Sequence, residues 1–243
     1  GWAAPLALAV TIAAAAAMGA TNGFIIARFR MQPFVATLGM MLVARGAAKW
    51  ISGGIKVQPG AAPWYHIQTG NPAVFDWMTT RTAIFGLRPI TLLFLMAVLL
   101  LWVVLRFTKF GRHLYAVGGN EEAARLSGVN VGSLKVAAYT LCGLTAGLAG
   151  ICNASRVTLG DPGEAGATYE LDAIAAVVIG GTSLFGGIGT IGGSVIGAFI
   201  PTVLRNGLVI TRVPPFWQNV AIGCVLILAV YLDQRRRKAE ERM

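Results

Sequence analysis

Charge is scarce in this chain of 243 residues, where only 12% are Asp, Glu, Lys or Arg. A soluble domain carries about 25%, so an ordinary soluble globule is excluded. With 56% hydrophobic residues, a disordered chain is excluded too. Cysteine is rare. Cys142, Cys152 and Cys224 lie in apolar stretches and form no CxxC pair. An odd number leaves at least one unpaired within the chain, and all three read as thiols packed like small hydrophobes. Histidine is rarer still, and His66 with Asp76 has no metal-ligand spacing, so no metal site is expected. GxxxxGK[ST], HExxH and GxSxG do not occur, which removes a P-loop ATP site and two common hydrolase signatures. Gly187–Gly192 formally matches GxGxxG, but no strand precedes it and Arg212 stands where an acidic residue belongs. The stretch reads as a tight turn between apolar segments.

Glycine is abundant, at 31 of 243 residues, without the G-X-Y repeat of collagen. Gly19/Gly23, Gly143/Gly147 and Gly193/Gly197 have the spacing that lets membrane helices cross closely. Seven segments approach the ~20 apolar residues that a bilayer-spanning helix needs. They are 3–27, 34–51, 89–107, 136–154, 171–185, 192–210 and 216–232. The fifth is short and is expected to be tilted, broken or half-spanning. The runs are continuously apolar, without the alternation of barrel strands. The expectation is an all-α, polytopic transmembrane helix bundle, with residues 1–243 as one membrane domain. Pro201 predicts a kink in the sixth span.

The net charge of +10 would suggest nucleic acid in a soluble protein. In a membrane protein it reports orientation. Twelve basic residues fall at 28–30, 106–135 and 235–242, and five fall at Lys56, Arg81, Arg88, Arg156 and Arg212. That asymmetry places residues 108–135, the turn near 186–189 and the C-terminal tail in the cytoplasm, and 52–88 outside. Arg45, Lys49 and Arg205 lie near outer helix ends, where they either snorkel or line a polar path. The outer segment carries Trp64, Tyr65, Phe75 and Trp77. It reads either as an interfacial aromatic belt or as a docking surface for an external partner. The first apolar run has no basic segment before it, so it does not read as a signal peptide.

The inner segment 108–135 is the most informative. Asn120 suits a helix N-cap, Glu121 and Glu122 suit a first turn, Arg125 falls near the end, and Gly128 is placed to stop the helix. Ala123, Ala124 and Leu126 give a small apolar face. A helix of two turns is marginal alone and needs its flanking helices or a partner's groove.

Gly119–Gly128, with its Glu-Ala-Ala core and following glycine, resembles the coupling loop of ATP-binding-cassette importer permeases. The run Arg112–Val129 is similar to that of the ribose-type sugar permeases. Further matches are Asn22-Gly23, Gln32–Met41 followed by Arg45-Gly46, and Tyr169–Leu184. The resemblance implies a permease subunit of the bacterial inner membrane that moves a monosaccharide and catalyses no bond-making itself. It implies a second permease subunit, identical or related, cytoplasmic ATPases that bind ATP and Mg, and an external sugar-binding protein. Gly119, Asn120, Glu121, Glu122, Ala123, Ala124, Arg125, Leu126 and Gly128 become the ATPase-coupling loop, with Ala123 and Ala124 expected at the contact. Members of the family carry a further N-terminal stretch, so the chain is expected to lack that part.

Polar residues able to line a path are Asn22, Thr37, Asn153, Glu170, Asp172, Thr182 and Ser183. Each reads equally well as a cap or an interhelical hydrogen bond. A branched-chain amino-acid permease is the alternative within the superfamily, although its loop is richer in charge where this chain has Gly118-Gly119-Asn120. An ion-coupled transporter would need intramembrane ionisable groups, and the spans offer only Arg45, Lys49, Asp172 and Arg205.

Overall fold

In lipid a backbone can bond only to itself, and the apolar runs fold accordingly. The computed structural model describes residues 3–56, 78, 86–157, 160–163, 165–166, 169–184, 186–214, 217–218, 220–221, 223–225, 228 and 231. Eight helices have described bounds: α1 (Ala3–Phe29), α2 (Pro33–Ser52), α3 (Pro89–Phe107), α4 (Lys109–Gly119), α5 (Glu121–Leu126), α6 (Val131–Val157), α7 (Tyr169–Ile179) and α8 (Ile191–Ile210). Five of them, α1, α2, α3, α6 and α8, are long and apolar enough to cross a membrane. They match five of the seven expected spans. The tail lies wholly outside the described residues, as does about half of the seventh expected span. So do 57–77 and 79–85, with Trp64, Tyr65, His66, Phe75, Asp76 and Trp77.

The chain divides into two compact units. The first comprises residues 1–99 and 130–167. Its centre is the crossing of α1 with α6, each 27 residues long and therefore about 40 Å. Two of the glycine motifs meet there. A Cβ on Gly19 would strike the Tyr139 carbonyl, and one on Gly143 would strike the Ala15 carbonyl. Gly23 lies against Val136 in the same way. Glycine at these positions lets the two backbones touch, which gives dispersion contacts that larger residues would prevent. α2 starts with Pro33 at its first turn and ends at Gly53, whose φ of 66° is left-handed. No residue of α2 is buried. Beyond it, the Lys56 ammonium sits 3.0 Å from the Asp161 carboxylate.

The second unit comprises residues 100–129 and 168–243. α7 has 11 residues, about 16 Å, and cannot span a bilayer alone. It is the short fifth segment, expected from the sequence to be tilted, broken or half-spanning. It ends at Gly181, with φ of 84°, where the Thr182 N–H returns to the Val177 carbonyl at 3.0 Å. The chain turns back through 182–190 and enters α8, whose N-cap Thr190 accepts from the Gly193 N–H at 3.0 Å. A Cβ on Gly193 or Gly197 would strike the carbonyls of Gly180 or Ala176, so α7 and α8 cross as closely as α1 and α6. Pro201 lies inside α8 and is buried.

Two features differ from the sequence reading. Residues 109–119 form a helix of their own, α4, rather than a loop. α6 begins at Val131, five residues before the expected start, because the Asn130 side chain accepts from the Ser133 N–H at 3.1 Å and caps it.

Candidate coupling helix and transport path

α4 and α5 are built by local chemistry. Thr108 caps α4 by accepting from the Gly111 N–H at 3.3 Å. Gly111 is buried against the last turn of α3, where a Cβ would strike the Leu105 carbonyl, so only glycine permits the sharp bend between α3 and α4. At the other end Asn120 serves both helices. Its N–H donates to the Ala116 carbonyl of α4 at 3.0 Å, and its Oδ1 accepts from the Ala123 N–H of α5 at 2.9 Å. Such a cap contributes about 1 kcal/mol. Arg125 pairs with Glu121 one turn back at 3.1 Å, an exposed contact worth about 0.3–0.5 kcal/mol. Gly128 is left-handed at φ of 84°, and the following Val129 N–H returns to the Ala124 carbonyl at 3.1 Å.

The cap, the acidic first turn and the glycine stop thus stand where the sequence places them. The expected contact surface does not. Ala124 is 6% exposed and Leu126 is 85% exposed. The helix turns Ala124 inward and presents Ala123 and Leu126. Of the pair expected at a contact, only Ala123 is on the surface, and the large apolar side chain there is Leu126.

Three path candidates lie in the first unit and four in the second. In the first unit, the Asn22 Oδ1 is buried without a hydrogen-bond partner among the described residues. Thr37 bonds back within α2, to the Pro33 and Phe34 carbonyls at 3.0 and 3.1 Å, which satisfies its hydroxyl. Asn153 stands near the far end of α6, roughly 20 Å along that helix from the level of Asn22. In the second unit, Asp172 and the exposed Glu170 share the first turn of α7. Asp172 faces Arg205 of α8, with N–O separations of 3.3 and 3.4 Å. Thr182 and the buried Ser183 lie past the other end of α7, with the Thr182 hydroxyl 3.4 Å from that of Ser194. The Asp172–Arg205 pair was not foreseen. Its signal was the rarity of charge in the spans, since a lone arginine there costs about 2.5–3.5 kcal/mol and calls for a partner.

One contact in each unit joins segments remote in sequence. Tyr115 of α4 donates to the Gly189 carbonyl at 2.7 Å, which joins two segments expected inside. Lys56 and Asp161 join two segments expected outside.

A family model described as branched-chain amino acid transport system, permease component, matches residues 1–230. The ribose import permease protein RbsC of Escherichia coli (strain K12) is 43% identical, over 96% of this chain and 70% of its own length. The xylose transport system permease protein XylH of the same strain is 36% identical, over 98% of this chain and 73% of its own. The galactose/methyl galactoside import permease protein MglC of Haemophilus influenzae is 37% identical, over 94% and 66%. No solved structure matches significantly.

Proposed function

This chain belongs to the permease family of that description, and from that premise we propose that it is the membrane-spanning subunit of an ATP-binding-cassette importer for a monosaccharide. It is a multi-pass inner-membrane protein. Relatives at 36–43% identity are named for ribose, xylose and galactose, which favours a sugar over the amino acid of the family description. The substrate is therefore a pentose or hexose of that class.

The observation that carries the reading is α5. A six-residue helix, capped at one end and stopped by glycine at the other, projects a bare leucine between membrane helices. Buried in a partner's groove, Leu126 contributes about 1.5–3 kcal/mol. The partner is a cytoplasmic ATPase that holds ATP and Mg. A second permease copy or relative completes the path, and an external binding protein delivers the sugar. ATP closes the ATPases, which moves α5 and biases the path between outward and inward exposure.

Proteoliposomes holding the permease with its copurified ATPase, with ATP on the ATPase side and binding protein on the other, should accumulate labelled ribose, xylose or galactose. Uptake driven by a proton or sodium gradient without ATP overturns the reading. Competition by leucine rather than sugar moves it to the amino-acid branch.

A further inference from the structure

We propose that Tyr115 is a positioning residue of the transport cycle. Together with a seat of glycines, it forms a strut that passes displacement of α5 into the 182–190 turn and so into α8. The proposal rests on the importer reading above and assigns the route by which the coupling helix reaches the membrane.

The strut is built in three joints, all within the second unit. The first is Asn120, which closes α4 with its backbone and opens α5 with its side chain. No flexible linker separates the two helices, so a force on α5 is delivered to the last turns of α4. The second joint is between those turns and the 182–190 turn, more than sixty residues away in sequence. The Tyr115 hydroxyl donates to the Gly189 carbonyl at 2.7 Å. One turn further on, backbone meets backbone. A Cβ on Gly118 would lie 2.5 Å from the Gly187 nitrogen, and one on Gly186 would lie 2.5 Å from the Gly118 oxygen. Gly186 and Gly187 are both left-handed, with φ of 95° and 76°, which glycine alone adopts without strain. The third joint is inside the turn. Gly189 is wedged from the other side by Thr182, whose Cγ2 a Cβ would meet at 2.7 Å. The Ser183 N–H bonds the Ile188 carbonyl at 2.9 Å, and Thr190 caps α8. A stiff turn held this way moves as a block and takes α8 with it.

A cavity of about 390 Å³ lies beside the strut, lined by Leu114, Tyr115, Val117, Val177, Ile188 and Ile191 among others. Among the described residues, α4 and the turn touch at a phenol and a glycine seat beside this cavity. A narrow contact of this kind transmits position while leaving room for rotation. Couplings carried by contiguous contacts with discrete arrangements have this form.

The test uses the complex of permease, ATPase and binding protein in proteoliposomes, with sugar moved per ATP hydrolysed as the readout. Tyr115→Phe removes one hydroxyl and keeps the ring. It should leave ATPase association and melting temperature at the parental value and lower the transport-to-hydrolysis ratio about fivefold, the scale of one lost hydrogen bond. Gly187→Ala, which adds a Cβ at the seat, should lower the ratio at least as far. Leu126→Asp serves as the contrast, because it should reduce ATPase association itself. A parental ratio in Tyr115→Phe overturns the strut and leaves the importer reading intact. A fall in transport and hydrolysis together with a lowered melting temperature also overturns it, since that is a structural defect. Loss of ATP dependence in the parent complex overturns the importer reading and the strut with it.

Discussion

Leu126 and Ala124 are two positions apart and have opposite fates. Leu126→Asp should weaken ATPase association by roughly tenfold to a hundredfold, the worth of a buried leucine, as read by copurification at rising detergent or by titration in nanodiscs. Ala124→Trp should act differently, overpacking an already closed position by about 1–3 kcal/mol and lowering the melting temperature of the permease alone. The capping and stop residues of α5 were legible because each has a specific local partner. Which alanine faces inward was not, since two adjacent alanines are chemically identical and only the fold distinguishes them. The Asp172–Arg205 pair gives a second expectation at this scale. Asp172→Asn leaves a half-exposed guanidinium in a span without its counter-charge and should destabilise the permease. The double variant Asp172→Asn/Arg205→Gln should recover most of that loss. Melting curves of the three variants against the parent check it, and additive losses would exclude a coupled pair.

The long helices were legible because continuous apolar runs of 19–27 residues have no other solution in lipid. α4 was not. Lys109–Gly119 contains three glycines and mixed polarity, a poor intrinsic helix, and its order depends on caps and on contacts remote in sequence. Small residues at helix crossings were legible as motifs, but not which motif meets which. Their pairing makes an expectation about elements. Gly143→Leu should force α1 from α6 against the Ala15 carbonyl and the Gly19 Cα, and abolish a monodisperse permease in size-exclusion chromatography. Gly39→Ala in α2, where nothing lies within 4 Å, should leave the profile unchanged and gain about 0.5–1 kcal/mol.

For the whole molecule, the basic asymmetry of the sequence sets an expected orientation that labelling can check. Single cysteines at Ser127 and Lys56, in a background without the native three, should react with impermeant reagents from opposite faces of the membrane. Reaction of both from one face would falsify the assignment. The α1–α6 crossing also has a consequence in time. The first unit is discontinuous in sequence, and its closing helix ends about 130 residues after α1 does. At ribosomal speeds of 5–20 residues per second, that is an interval of roughly 6–26 s. Throughout it the face of α1 around Gly19 and Gly23 is without the helix that fits it. Biogenesis, more than the finished fold, is where this crossing is most vulnerable. A ribosome stalled before Val131 is therefore the state in which to look for whatever protects it.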